Sequence, residues 1–379
     1  MSAMPLQEFD DRMRRIRSAL EITDLGGLLA YGDCWRASNV SYFTSFRPLD
    51  GVGDYPTAAV LLPRHGDPEL FVAEGAMGWA ADVTNFAVRN IADIAGAVTA
   101  WSAQHHGAAL GLAGSGFIPA VLLDRVTDAL GGVRPTPTDV LAEVKAVKSE
   151  WEIDILREAA RFNDIAMEVI RVALATGKTY TERELARMAD AAMIDAGADG
   201  VAFLSMVQSG PRASWNLALP SDRPIQRGDL VLTDIGARYK GYSADGGRGF
   251  SYGDITDEQR SLMEASVAAV EAGMAAVRPG LSARELNRVI QEELVTRGYA
   301  EYSGEARGHG TGHGTGMDPE EEQPWISPHN PIVLTPDMVF TLKATITVPV
   351  VGGLRTERIV RVTESGSEAL DQFPMLNTW

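Results

Sequence analysis

Apolar residues recur at helical spacing at the start of the chain and in short continuous runs after it. Phe9, Met13, Ile16 and Leu20 fall on one helical face and predict a helix over residues 7–20. Apolar runs predict strands at 28–31, 58–62 and 69–72, and helical patterns follow near 75–82 and 93–104. Strands that alternate with helices in this way indicate an α/β fold for the first part of the chain.

Four helices of the second part are marked by capping boxes, in which Ser or Thr is followed three residues later by Glu or Gln. The pairs are Ser149 with Glu152, Thr181 with Glu184, Thr256 with Gln259, and Ser282 with Glu285. A glycine that favours the left-handed backbone of helix ends follows each pattern, at Gly177, Gly197, Gly280 and Gly298. These signals predict two pairs of successive helices.

The two helix pairs share sequence. Arg183-Glu-Leu-Ala-Arg187, followed by Gly197, matches Arg284-Glu-Leu-Asn-Arg288, followed by Gly298. The offset is 101 residues both from 183 to 284 and from 197 to 298. An internal duplication explains this match, so the second part is predicted to contain two related α/β halves packed on one sheet.

Between the two helix pairs, residues 230–250 have the pattern of a β-hairpin. An apolar run at 231–235 leads to a turn at 239–241, and residues 242–250 return. Asp234 and Asp245 lie about equally far from this turn, so we expect them opposite each other on one face, with Cβ atoms roughly 5 Å apart. Two carboxylates this close repel each other unless a proton, a cation or a metal lies between them. The alternative is that both are ordinary acids flanking a turn.

A second hairpin is predicted near the end of the chain. Residues 338–346 and 354–362 form its strands, with a turn at 349–353. Lys343 and Glu357 are symmetric about that turn, as Asp234 and Asp245 are about theirs. A two-fold arrangement of the hairpins would bring all four side chains together. The alternative is that Lys343 and Glu357 form a cross-strand ion pair on a solvated face.

Residues 308–316 read Gly-His-Gly-Thr-Gly-His-Gly-Thr-Gly and place His309 and His313 among five glycines. Glycine allows a ligand to approach the backbone closely. Imidazole is a common metal ligand and the side chain best suited to proton transfer near neutral pH. The alternative is a flexible loop without a function. The acidic residues that follow, Glu320 to Glu322, are expected on a solvated loop.

Composition limits the classes of function and the location. The 379 residues are too many for one core, and a turn- and proline-rich stretch at 131–138 gives predicted domains of 1–135 and 136–379. The net charge of −17 argues against nucleic acid and anionic membranes as partners. With one cysteine, Cys34, and neither a signal-peptide pattern nor a long apolar run, the chain is expected to be cytoplasmic.

An aromatic and arginine-rich segment lies in the first domain and includes Trp35, Arg47 and Tyr55. These residue types are suited to binding a small anionic or planar ligand. They are equally typical of a subunit interface. The sequence leaves both interpretations open.

The two hairpins, the Gly-His-Gly stretch and the sequence Gly352-Gly-Leu-Arg-Thr-Glu357 resemble the pita-bread family, which includes creatinase, aminopeptidase P, prolidase and methionine aminopeptidase. The resemblance covers residues 140–370 and extends loosely to the first domain. It implies a pita-bread C-terminal domain with a pseudo-two-fold duplication, preceded by a smaller creatinase-like α/β domain. It also implies a homodimer, in which Trp35, Arg47 and Tyr55 of one subunit would reach the active site of the other.

In the metallopeptidases of that family, five positions bind two divalent ions, and the resemblance assigns four of them to Asp234, Asp245, His313 and Glu357. At the fifth position the family has glutamate, and this chain has Lys343. A protonated lysine cannot act as a ligand and repels a dication, which argues against a two-metal site. Two arrangements remain: a single divalent metal, or no metal with Lys343 balancing the carboxylates, which needs fewer assumptions.

These departures favour the creatinase-like branch. The family also tends to have histidine at the position of Glu320 and in the segment 215–217, where this chain has none. The predicted activity is hydrolysis of a C–N bond in a small polar, carboxylated, non-peptide substrate. The alternatives are a mononuclear metal-dependent lyase, an Xaa-Pro-type peptidase, and a pita-bread binding module without catalytic activity.

Each candidate site residue receives an expected role. His313, or His309 beside it, would move protons; the three carboxylates would position water or a substrate cation; and Lys343 would supply charge or a general base. The expected substrate-binding residues are Arg355, Arg47, Trp35 and Tyr55.

Overall fold

The computed structural model describes residues 4–49, 57–308 and 310–378. The chain comprises two compact units, Met1–Lys145 and Ala146–Trp379. The sequence places the domain boundary earlier, between residues 135 and 136. Among the described residues, no helix combines the length and the apolar character that crossing a membrane requires.

The first unit is a mixed six-stranded sheet with helices around it. Its elements are α1 (Leu6–Ile22), β1 (Leu25–Asp33), α2 (Ser38–Thr44), β2 (Thr57–Pro63), β3 (Glu69–Val72), α3 (Met77–Val83), β4 (Ala87–Asn90), α4 (Ile94–Gln104), β5 (Ala109–Ala113), α5 (Ala120–Ala129), β6 (Thr136–Pro137) and α6 (Val140–Ala146). The strand order is β4-β3-β2-β1-β5-β6. Trp101 of α4 packs with Phe71 and Leu29 of the sheet in a buried apolar core. The predicted α/β class is confirmed.

In its described residues, the second unit has four long helices and three sheets. The helices are α7 (Glu150–Ala175), α8 (Glu182–Asp195), α9 (Asp257–Ala276) and α10 (Ala283–Thr296). The strands are β7 (Gly200–Val201), β8 (Met206–Ser209), β9 (Asp229–Ile235), β10 (Ala237–Tyr239), β11 (Tyr242–Ser243), β12 (Gly246–Tyr252), β13 (Gly312–Gly314), β14 (Glu321–Ile326), β15 (Val339–Val348), β16 (Gly352–Val362), β17 (Ser367–Ala369) and β18 (Leu376–Asn377). All four predicted capping boxes form at the starts of these helices.

The predicted duplication is visible as two similar halves. Helices α7 and α8 pack on the sheet β18-β12-β9-β8, and α9 and α10 pack on the sheet β14-β13-β15-β16-β17. Each half is a capped helix pair followed by antiparallel strands. The prediction of one common sheet is wrong, because β12 and β16 contact each other but form no ladder.

Glycines allow these two strands to approach each other closely. A Cβ atom on Gly249 would lie 2.0 Å from Leu354 Cδ2, and one on Gly247 would lie 2.9 Å from Glu357 Oε2. Side chains at these positions would push β12 away from β16. The bare backbone of β12 therefore brings the centres of the two hairpins together.

Candidate active site

Three acidic side chains meet where the two hairpins face each other. Asp234 lies near the end of β9, Asp245 directly precedes β12, and Glu357 lies in the middle of β16. All three are buried, and one carboxylate oxygen from each lies within 4.8 Å of the others. The sequence predicts that these three side chains lie close together, and the two-fold arrangement of the hairpins brings them there.

The register of the first hairpin differs from the prediction. Asp234 pairs with Gly247, and Tyr239 pairs with Tyr242, so Asp245 lies diagonally across from Asp234 and not directly opposite. The turn consists of two residues, Lys240 and Gly241, with φ values of 47° and 85°. Positive φ at both positions is what a two-residue type I′ hairpin requires. Since side chains alternate along a strand, a shift of two residues keeps both aspartates on one face.

The second hairpin has the predicted register, with Lys343 paired directly with Glu357. Both side chains are buried, so the alternative of an ion pair on a solvated face is wrong. The Lys343 ammonium lies 3.9 Å from Glu320 Oε1, and the Glu320 side chain is 56% exposed. Lys343 therefore lies between the buried carboxylates and a half-exposed one.

Arg355 has a different position from the one expected. Its Nη1 donates to Asp234 Oδ2, and its Nη2 donates to Asn216 Oδ1 at 3.1 Å, both in the buried interior. Both terminal nitrogens are therefore engaged by protein groups, and the expected role of Arg355 in holding a substrate carboxylate is not supported. Its contact fixes one oxygen of Asp234. The other oxygen, Oδ1, is buried and has no hydrogen-bond partner among the described residues.

His313 is fixed by its own strand. It lies on β13, paired with Thr341 of β15, and its Nδ1 is 3.2 Å from the carbonyl oxygen of Gly314. With the proton on Nδ1, that atom donates to the carbonyl and leaves the Nε2 lone pair facing Asp245 Oδ2 at 3.4 Å and Glu320 Oε1 at 3.6 Å. Metal-binding histidines commonly have this arrangement, in which the second ring nitrogen donates to a backbone carbonyl.

Burial and mutual repulsion shift the pKa values of the cluster. Burial and the nearby Asp234 raise the pKa of Glu357 to about 8. Burial, Glu357 and Asp234 raise the pKa of Asp245 well above its usual range. Burial lowers the pKa of His313 well below its usual value, and Lys343 lowers it further, so the imidazole is neutral at neutral pH. These carboxyl groups therefore take up protons unless a cation replaces them.

The arrangement fits a divalent cation. Asp234 Oδ1 and Glu357 Oε2 are buried acceptors without a hydrogen-bond donor among the described residues. The neutral Nε2 of His313 is an acceptor that faces another acceptor, Asp245 Oδ2. Acceptors that converge without donors need a cation or protons between them. Asp234, Asp245 and Glu357 are therefore the residues that would hold a metal, and His313 lies beside them with its Nε2 3.4 Å from Asp245 Oδ2.

The other predicted site residues lie in the first unit or outside the described residues. Tyr55 and His309 are not among the described residues. Trp35 is 66% exposed, and its backbone N–H donates to the Asp33 carboxylate. Arg47 donates from Nη2 to the carbonyl oxygen of Cys34 at 3.0 Å. Their roles in substrate binding stay predictions.

A supporting loop escaped the sequence analysis. Asn216, the partner of Arg355, has φ 64° and ψ −59°, and the N–H of Leu217 donates to the carbonyl of Trp215, which makes a strained γ-turn. The fully buried Glu182 fixes the loop by accepting hydrogen bonds from the backbone and hydroxyl groups of Ser209 and Ser221 and from Arg212 Nε. The sequence gave no sign that Glu182 is functional. It lies within the capping box of α8, in which Thr181 and Glu184 make the capping hydrogen bonds.

The expectation of a solvated loop for residues 320–322 is partly wrong. Glu321 is buried and forms an ion pair of 3.0 Å with the buried Lys148, while its other oxygen accepts the N–H of Met317. Burial of a charge requires such a partner. This ion pair fixes the segment that carries Glu320 beside His313.

The fold and the buried site define a pita-bread enzyme, and comparison with known proteins identifies the family. Residues 154–364 match metallopeptidase family M24. The chain belongs to this family, which is a family of hydrolases.

Individual proteins that are similar to this chain carry the names of dipeptidases. The chain is 36% identical over 278 residues to the probable dipeptidase PepE of Mycobacterium tuberculosis, covering 72% of this chain and 71% of that protein. It is 33% identical over 232 residues to the Xaa-Pro dipeptidase of Pyrococcus horikoshii, covering 61% of this chain and 64% of that protein. The match therefore spans slightly less than two thirds of the length of the Pyrococcus dipeptidase.

Solved structures match over the whole chain. Dipeptidase PepE from Mycobacterium ulcerans has a TM-score of 0.86 and 30% identity, covering 100% of this chain and 99% of that one. The prolidase from Pyrococcus horikoshii has a TM-score of 0.82 and 25% identity, covering 97% and 100%. The predicted pita-bread fold with its smaller N-terminal domain is confirmed.

These comparisons correct the predicted activity. Lys343 and the missing histidines depart from the metallopeptidase pattern, and from these departures a non-peptide substrate was predicted. The relatives are dipeptidases and prolidases, which act on peptide bonds, so that prediction is wrong. The Xaa-Pro-type peptidase, one of the alternatives, is the interpretation that they support.

Proposed function

We propose that this protein is a metal-dependent dipeptidase that cleaves the peptide bond of Xaa-Pro dipeptides. The relatives named as Xaa-Pro dipeptidase and prolidase support the substrate class. The observation that carries the proposal is the convergence of Asp234, Asp245 and Glu357 with the neutral Nε2 of His313 in one buried centre. This donor set lies within the part of the chain that matches family M24.

The residues of the centre have different roles in the proposed hydrolysis. A divalent cation held by the three carboxylates beside His313 would supply a Lewis acid for the scissile carbonyl and would acidify water. Arg355 holds Asp234 through one oxygen and so orients the other toward the centre. Lys343 adds positive charge beside the carboxylates, where negative charge develops on the carbonyl oxygen during attack.

Glu320 is the group that we assign to proton transfer. Its carboxylate lies 3.6 Å from His313 Nε2, and its side chain is half exposed, so it exchanges protons with solvent. Hydrolysis adds the oxygen of water to the carbonyl carbon and breaks the C–N bond. Glu320 would take a proton from water and deliver it to the proline nitrogen as that bond breaks. Glu320 would thus take the role of proton shuttle that the sequence assigns to His313 or His309.

Hydrolysis of matched dipeptides tests the proposal. The full-length protein, loaded with Mn²⁺, is assayed with Ala-Pro, Leu-Pro, Ala-Leu and Leu-Ala. We expect release of free proline, a preference for the proline dipeptides, and loss of activity with a chelator. Asp245→Asn should lower kcat/KM by about three orders of magnitude or more. The control Asp222→Asn changes an exposed acid paired with Arg183 and should leave activity unchanged.

Two results would contradict the proposal. If folded, cation-loaded protein cleaves none of these dipeptides, the chain is not a dipeptidase, and the alternative of a binding module without catalytic activity gains support. If it cleaves the proline-free dipeptides equally well, the peptidase class stands but the Xaa-Pro specificity does not.

A further inference from the structure

We infer that the active centre binds one divalent cation and that the Lys343 ammonium occupies the place of a second. This inference rests on the cation site that the proposed function uses, but it is independent of the substrate. The formal charges of the side chains around the centre support a single cation. Three buried carboxylates and Glu320 surround the centre, together with two basic side chains, Arg355 and Lys343. A histidine must be neutral to bind a metal, so His313 adds no charge.

One cation balances this set and two do not. Four carboxylates and two basic groups leave a formal charge of −2, which one divalent cation neutralises. A second cation would leave a charge of +2 in a buried site, where uncompensated charge is costly. If the half-exposed Glu320 is left out, one cation gives +1 and two give +3. Both counts favour a single cation.

The position of Lys343 gives the second argument. It is paired directly with Glu357 on β16, and its side chain is only 8% exposed. Its ammonium lies 3.9 Å from Glu320 Oε1, the same oxygen that lies 3.6 Å from His313 Nε2. A protonated amine offers three donors and no lone pair, so it repels a dication and does not bind one.

The third argument concerns the acceptors that remain. Among the described residues of the centre, the buried carboxylate oxygens without a hydrogen-bond donor are Asp234 Oδ1 and Glu357 Oε2. The second oxygen of Asp234 is already occupied by Arg355. One oxygen from each of Asp234, Asp245 and Glu357 lies within 4.8 Å of the others, and these oxygens make a ligand set for one ion. Arg355 on Asp234 and Lys343 opposite Glu357 thus both restrict the cluster.

Cation stoichiometry tests the inference without any substrate. Full-length protein is freed of metal with a chelator, titrated with Mn²⁺ by calorimetry, and analysed for bound manganese after gel filtration. We expect one Mn²⁺ per chain for the wild type. Lys343→Glu replaces a cation with a ligand and should bind two. Lys178→Glu makes the same change of charge at an exposed position of the same unit and should still bind one.

A second variant keeps the test decisive if Lys343→Glu does not fold. Lys343→Met removes the charge without adding a ligand, so it should bind one Mn²⁺, about tenfold more tightly because the repulsion is gone. Circular dichroism establishes that each variant is folded.

The outcomes separate this inference from the proposed function. Two ions bound to the wild type, or no gain in affinity in folded Lys343→Met, would overturn the inference and leave the dipeptidase proposal intact. One ion bound to a protein that cleaves no dipeptide would uphold the inference and overturn the dipeptidase. No bound ion would overturn both.

Discussion

Lys343 and Glu357 face each other across the second hairpin, and both side chains are buried. In the first hairpin the corresponding residues are two aspartates, so the duplication places three acids and one base around one centre. The base is what distinguishes this centre from an all-carboxylate one. This base is part of the chain, whereas a soluble cation would bind reversibly.

The stability of the metal-free protein should fall as the pH rises from about 5 to 8. The pKa of Glu357 is about 8 in the folded protein, and roughly 4.3 is expected in the unfolded chain. Between these values the folded state binds more protons than the unfolded state, so the free energy of unfolding decreases with pH. Asp245 acts in the same direction.

Thermal melts at several pH values, with chelator present, measure this dependence. Glu357→Gln should flatten the profile, and saturating Mn²⁺ should remove the fall, because the cation replaces the protons. Arg355 and Lys343 are the positive groups that face Glu357. Both lower its pKa, but burial and Asp234 raise it by more. A melting temperature that stays constant or rises across this interval without metal would contradict the prediction.

Glu182→Gln should destabilise the protein by about 3 kcal/mol. The fully buried carboxylate accepts hydrogen bonds from Ser209, Ser221 and Arg212, and the amide cannot accept all of them or balance the arginine. Denaturant unfolding measures the loss. The control is Glu184→Gln on the same helix, where glutamine keeps the capping box and the change should be near zero. Equal stability of the two variants would show that Glu182 does not fix the loop.

Gly249→Ala should destabilise the protein by about 1–3 kcal/mol or more and weaken Mn²⁺ binding. The new Cβ would lie 2.0 Å from Leu354 Cδ2, which would force β12 away from β16 and so separate Asp245 from Glu357. Gly246→Ala is the control, because its Cβ would have its nearest contact at 3.3 Å, with Asn163 Nδ2. Chemical denaturation and calorimetry measure both effects. A folded Gly249→Ala protein with wild-type Mn²⁺ affinity would show that the close approach is not needed.

The predicted homodimer and the role of Trp35 are tested together. We expect sedimentation to show a dimer at micromolar concentration. Trp35→Ala should raise KM for Xaa-Pro dipeptides several-fold with little change in stability, since the side chain is 66% exposed. Leu6→Ala, which shortens a side chain that is 70% exposed on α1, is the control. A monomer at all concentrations, or an unchanged KM in Trp35→Ala, would contradict the expectation.

Local signals predicted much of this fold. The capping boxes, the helix pairs and the strands of both hairpins depend on neighbouring residues, and Lys343 opposite Glu357 followed from symmetry about the turn. The features that failed depend on packing between distant segments. Whether β12 and β16 form one ladder is set by contacts across the two halves. Arg355 was assigned to a substrate carboxylate because guanidinium groups bind carboxylates. Its hydrogen bonds to Asp234 and Asn216 could not be foreseen, because these partners are 121 and 139 residues away.

The wrong substrate prediction has a related cause. Lys343 changes the charge and the ligand number of the centre, and the sequence analysis treated that change as a change of chemistry. A centre that loses one ligand position can keep its other residues, as the buried Asp234, Asp245, Glu357 and His313 do here. The shape that selects a substrate depends on how loops pack, which a pattern of residues does not reveal.

A crystal structure of the protein soaked in Mn²⁺, with anomalous diffraction data collected near the manganese absorption edge, tests the central claim most directly. The account predicts one strong anomalous peak among Asp234, Asp245, Glu357 and His313, with the Lys343 ammonium beside it and no second peak in the centre. A centre with two peaks, or one with no peak while manganese binds elsewhere, would contradict it.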